Sequence, residues 1–114
     1  MAIRVERQCF ETTDEALNQL RSLGLWPTTL HLPAGPELDL HCHAYDVHAY
    51  VVNGDSSFID PGAGTTHEIT VGDKLLIEKG TAHAEGETLV DVTYLIGLPE
   101  LVYWGEFLQQ LPAE

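Results

Sequence analysis

The sequence predicts an all-β domain, a barrel or sandwich of short strands, with one helix near its start. Three observations predict it. From residue 28 to residue 98 the chain is a series of short β-prone runs cut by turn residues, without alternating strands and helices. Helical periodicity shows once, at Ala16, Leu17, Leu20 and Leu23. A length of 114 residues suits one domain around one core. The expected organisation is a strand and helix over 1–26, a barrel core over 28–98 and a tail over 99–114.

The elements follow in order. Residues 3–7 supply a first strand. Thr13 is the expected N-cap, with Asp14 and Glu15 in the first turn, where carboxylates meet the positive end of the helix dipole. Gly24 closes a helix of about ten residues whose apolar stripe should lie on the outside of a sheet. Strands are then expected over 28–32, 38–43, 47–52, 56–60, 67–71, 74–78, 81–85 and 89–96. Pro33-Ala34-Gly35-Pro36, Pro61-Gly62-Ala63-Gly64, Gly72-Asp73 and Lys79-Gly80 are the breaks. Asn53-Gly54 reads as a two-residue hairpin turn joining 47–52 to 56–60. Ala49, Val51, Ile77, Ala82, Val92 and Tyr94 should line the interior. The tail over 101–111 reads as a strand running into a final helical turn.

Composition narrows the function. With 44% hydrophobic and 20% charged residues the chain is an ordinary globular one. Five basic residues against eighteen acidic ones leave a formal charge of −13. Such a surface repels phosphate backbones, so nucleic acid and anionic membranes are poor partners. The first sixteen residues hold no signal-peptide core, and no run of about 18 apolar residues exists to span a membrane. Cys9 and Cys42 make no disulfide framework, so a cytoplasmic protein with reduced thiols is expected.

Chemistry concentrates in His41-Cys42-His43-Ala44-Tyr45-Asp46-Val47-His48. In an extended chain His41 and His43 share a face, so both can grip one ion without bending the backbone. Imidazole suits zinc, iron, copper and nickel. Cys42 alternates away and reads as a structural thiol. Tyr45 and Tyr50 are candidates for the pocket mouth, Tyr50 more as core packing with its hydroxyl at a wet end. His31 and His67 have no partners at ligand spacing and read as surface or hydrogen-bonded residues. Glu85, two residues after His83, shares its face in a regular strand. There it is a general base or a partner of a ligand histidine, or else an edge carboxylate in water.

Two spacings resemble the cupin superfamily. Gly35 is followed by five residues and His41-Cys42-His43, with His48 after four more and Gly54 after a further five. Gly72 is followed by five residues and Glu78-Lys79-Gly80, then two residues, His83, three residues and Glu87. The resemblance spans residues 35–87. It implies a double-stranded β-helix, or jelly-roll barrel, with one short N-terminal helix and a short C-terminal helical turn. It also implies one divalent transition metal (Fe, Ni, Zn, Mn or Cu) held by His41, His43 and His83. The glutamate of the family's first motif is missing here. Counting forward from His43 puts His48 in its place; counting back from Gly54 puts Val47 there. One residue reverses the face, so His48 joins the others only through a bulge between Tyr45 and Val47. Without a bulge, Asp46 becomes the fourth group. The function implied is a divalent-metal-dependent enzyme on a small molecule, of dioxygenase, isomerase or lyase type, with Glu85 or Asp46 moving a proton. The alternative is a non-catalytic binding or sensing domain. A homodimer is expected of either.

Overall fold

The computed structural model describes residues 3–100 and 111–112. Its ten strands are β1 (Ile3–Glu6), β2 (Trp26–Leu32), β3 (His41–Cys42), β4 (Val47–Asn53), β5 (Ser56–Asp60), β6 (Thr65–Ile69), β7 (Lys74–Ile77), β8 (Ala84–Glu85), β9 (Val92–Leu98) and β10 (Leu111–Pro112), with one helix, α1 (Thr13–Ser22). One antiparallel sheet runs β1-β7-β4-β9-β2; β6-β5-β8 and β10-β3 form the other two. A bridge between His41 and His83 ties β3 to the segment leading into β8. The two smaller sheets thereby act as one layer facing the large one. This is the double-stranded β-helix that the sequence predicts.

Alternation along β4 builds two cores. Val47, Ala49 and Val51 face inward and pack with Phe58, Ile69, Ile77, Val92, Tyr94 and Ile96 between the layers. Tyr50 faces the other way and packs with Phe10, Ala16, Leu20 and Leu95 beneath α1. The helix is capped by Thr12, one residue before the expected Thr13: Thr12 Oγ1 accepts from Glu15 N at 3.1 Å. Gly24 takes φ +74°, and Gly24 N and Leu25 N donate to Arg21 O and Leu20 O, so the C-terminus ends in a Schellman motif.

Several expectations change. β4 and β5 do not pair: β4 lies between β7 and β9, and β5 lies between β6 and β8. Asn53-Gly54 is therefore a crossing between layers rather than a hairpin. The hairpin is β5–β6, closed around residues 61–64 with Asp60 opposite Thr65. Ala82 is only half-buried, because the inward position in its segment belongs to His83. The Tyr50 hydroxyl is buried without a partner, not wet. Over 38–43 only His41–Cys42 is strand. Leu111 lies in β10 rather than in a helical turn, and residues 101–110 of the expected tail lie outside the described residues.

Candidate metal centre

Three local rules bring the histidines together. His41 opens β3, and His43 follows by two residues on the same side. His41 and His83 exchange both backbone hydrogen bonds, His41 N to His83 O and His83 N to His41 O, each 2.9 Å. Residues directly opposite in an antiparallel pair project the same way, so the two rings meet. Their centroids are 4.4 Å apart, and His43 lies 5.3 Å from each. All three side chains are buried, and each offers one nitrogen within 4.8 Å of the others.

The backbone orients the rings. His41 Nδ1 donates to Asp39 O at 2.8 Å and His83 Nδ1 donates to Thr81 O at 2.9 Å. A carbonyl only accepts, so Nδ1 of each ring bears a proton and Nε2 is the atom left for a ligand. Both Nε2 atoms are buried with no hydrogen-bond partner. Burial, then the neighbouring His83 and His41, push the His43 pKa down to about 4. Burial likewise lowers that of His83, against the opposing hydrogen bond to Thr81 O and the charge of Glu85. His43 and His83 are therefore unprotonated near neutral pH, the state in which imidazole binds a metal. The donor set fits a first-row divalent ion.

Glu85 is the carboxylate that the fold brings to this place. Its Oε2 lies 3.5 Å from His41 Nε2 and is itself buried without a partner. Phe58 stands opposite Glu85 across the β5–β8 pair and stacks on His83 at 6.0 Å. A cavity of about 20 Å³ lies against His43, His83 and Glu85 under Leu30, Phe58 and Tyr94. That is room for about one water. Glu85 also lines a pocket of about 210 Å³ at the surface, formed with the 33–38 loop, Ser56, Thr88 and Val92. Among the described residues, Glu85 is the only charged one of that lining. Tyr45 stacks on His43 at 6.3 Å, as expected for a residue at the site's edge.

Two expected site residues lie elsewhere. His48 belongs to the outer face of β4, opposite Leu76 and Gly97, and lines a surface recess with Arg4, Lys74 and Leu76. The ladder from Val47 is regular; the irregularity in β4 falls between Val51 and Asn53, too late to turn His48 inward. Asp46 is exposed, and its Oδ1 accepts from Lys79 N at 2.7 Å, fastening the turn before β4 to the turn after β7. Neither supplies a fourth group. His31 bonds Thr93 Oγ1 and His67 lies by Thr65 Oγ1, both at the surface. The carbonyls of Asp39 and Thr81 escaped the sequence, because any residue supplies a carbonyl.

No family model matches the sequence, and no curated protein matches it. Solved structures do. The DMSP lyase DddQ from Ruegeria pomeroyi superposes with a TM-score of 0.58 at 20% identity, over 65% of this chain and 37% of that one. The polyketide cyclase RemF from Streptomyces resistomycificus gives 0.57 at 16% identity, over 73% of this chain and 65% of that one. A cupin-2 domain containing protein from Shewanella frigidimarina gives 0.56 at 18% identity, over 87% of this chain and 80% of that one. The chain thus spans less than two thirds of the lyase and of the cyclase. At these identities the likeness is one of fold.

Proposed function

We propose that this chain, which has the cupin fold, holds one divalent transition-metal ion on His41, His43 and His83 and uses it on a small molecule. The observation that carries this reading is the pair of buried, unpartnered Nε2 atoms, beside the equally unpartnered Glu85 Oε2. A buried acceptor left unsatisfied costs about 1–3 kcal/mol, so gathering several in one place is unfavourable unless a cation completes them. Nitrogen donors favour Fe, Ni, Zn, Mn or Cu over magnesium. A bound ion of this kind polarises a carbonyl or hydroxyl, or makes a bound water acidic.

The chain's own residues support that use. The Asp39 and Thr81 carbonyls hold the rings in one tautomer, which fixes the direction of each lone pair. Phe58, Tyr94 and Leu30 keep bulk water from the inner cavity. The 210 Å³ pocket beside Glu85 suits a small, largely apolar molecule. Among the described residues its lining has no basic one, and the chain carries −13, so the molecule is neutral or cationic rather than anionic. A lyase and a cyclase share this fold, and we place the reaction among lyase, isomerase or dioxygenase types.

A second reading, a non-catalytic small-molecule binder built on the same ion, is favoured by the position of Asp46. Its carboxylate is engaged by Lys79 N outside the cavity, which removes one of the two expected proton carriers. The experiment is elemental analysis of purified protein after exposure to Fe, Ni, Mn, Zn and Cu salts. Close to one ion per chain is expected, and His41→Ala combined with His83→Ala should abolish it. Wild-type protein that stays metal-free overturns the reading. Loaded protein that binds a metabolite without converting it selects the binder.

A further inference from the structure

We infer that Glu85 is itself a ligand of the ion, so that the site's carboxylate comes from the strand of the second histidine segment, two residues after His83. This rests on the metal reading above and deepens it. The segment after His43 supplies no carboxylate to the cavity, since Asp46 binds Lys79 N and His48 faces outward. Alternation places Glu85 on the His83 side, and Phe58, paired with Glu85 and stacked on His83, keeps it there.

The contact between Glu85 Oε2 and His41 Nε2 is informative. At 3.5 Å it is too long for a hydrogen bond between a carboxylate and an imidazole, which would close to about 2.7–2.9 Å. His41 Nδ1 is taken by Asp39 O. The two facing atoms are both buried, and neither has a hydrogen-bond partner. Neighbouring ligands on a first-row ion, with bonds of about 2.0–2.1 Å, stand roughly 2.9–3.4 Å apart. The observed spacing from His41 is close to that of two ligands, while the group whose ligand atoms all lie within 4.8 Å of one another is His41, His43 and His83 without Glu85. Glu85 is 8% exposed, and among the described residues no Lys or Arg forms an ion pair with it. A buried carboxylate without a counter-charge is costly, and a divalent ion supplies that charge. Three imidazoles and one carboxylate leave further positions for water or substrate.

Cobalt(II) tests this, because its visible spectrum reports the number and kind of ligands. Wild type, Glu85→Gln and, as a control, His48→Ala are each titrated with cobalt. The Gln variant should show an altered band pattern. Its affinity should fall by more than the roughly 10–100-fold that loss of an outer hydrogen-bond partner costs. His48→Ala should match wild type in both. Without metal, the Gln variant should melt at or above wild type, because a buried unpaired charge is gone; this also checks its fold. An unaltered spectrum in the Gln variant overturns the inference, whatever its affinity, and makes Glu85 a positioning group or a base. Wild-type protein that takes up no cobalt overturns the metal reading itself.

Discussion

Asp73 is a buried charge that the fold keeps ionised. It is 2% exposed. Burial alone pushes its pKa up, but hydrogen bonds from Gln8 N, Thr70 N, the Gln8 side chain and Arg7 more than offset this, so the pKa falls below the ordinary 3.8. Gln8 N and Thr70 N donate at 2.9 and 3.0 Å. Gln8 takes φ +48°, a left-handed conformation that costs a non-glycine residue about 1–2 kcal/mol. The two bonds from Gln8 to Asp73 offset that cost. Asp73→Ala should therefore destabilise the protein by on the order of 3 kcal/mol, measured by denaturant unfolding at neutral pH. A carboxylate with a lowered folded pKa stabilises fully above its unfolded value and loses that contribution as pH falls through the folded one. The gap between wild type and variant should thus close below about pH 3.8. In the sequence Asp73 reads only as half of a Gly-Asp turn, because its partners Gln8 and Arg7 lie more than sixty residues away.

At the scale of elements, period was legible and partnership was not. The first-turn acids of α1, its closing Gly24 and the Ala16, Leu17 and Leu20 part of its stripe appear as expected, because each depends on residues within a few positions; Leu23 instead caps the helix and is exposed. The inward set Val47, Ala49 and Val51 follows from strand alternation alone. Asn53-Gly54 misled because a positive φ suits a hairpin and a crossover equally well. Here Gly54 has φ +85°, and a Cβ on it would run into Asp91 O, just before β9. Gly54→Ala should accordingly lower stability by on the order of 2–4 kcal/mol, from backbone strain plus displacement of β9, seen as a lower denaturation midpoint. A neutral substitution would mean that β4 and β9 tolerate separation at this end.

For the whole molecule, the histidine cluster joins segments far apart in sequence. His41 and His43 enter from β3, and His83 enters just before β8. A ligand that binds only the folded state at about 100 times its dissociation constant adds roughly 2.7 kcal/mol. For a domain of this size that corresponds to roughly 10–20 °C in melting midpoint. Thermal melts of metal-loaded protein with and without chelator should differ by that order, and the difference should vanish in His41→Ala with His83→Ala. The surface charge bears on partners as well. Anionic ligands meet a chain of −13, so neutral and cationic probes should bind the loaded protein in preference.

By itself the sequence determined which residues could do chemistry and which of them share a face within a regular strand, and it left the face of His48 open. It settled the β period, the single helix, the shared face of His41 and His43, and the acidic surface. The tertiary structure decided what those faces meet. It set His41 opposite His83, turned His48 and Asp46 away from the cavity, brought Glu85 inward, and made Asn53-Gly54 a passage between layers. The reason is range. Alternation and capping act within a turn or a strand and leave a mark in nearby residues. Strand pairing and burial join positions tens of residues apart, and many pairings are compatible with the same local pattern until the whole chain has to close around one core.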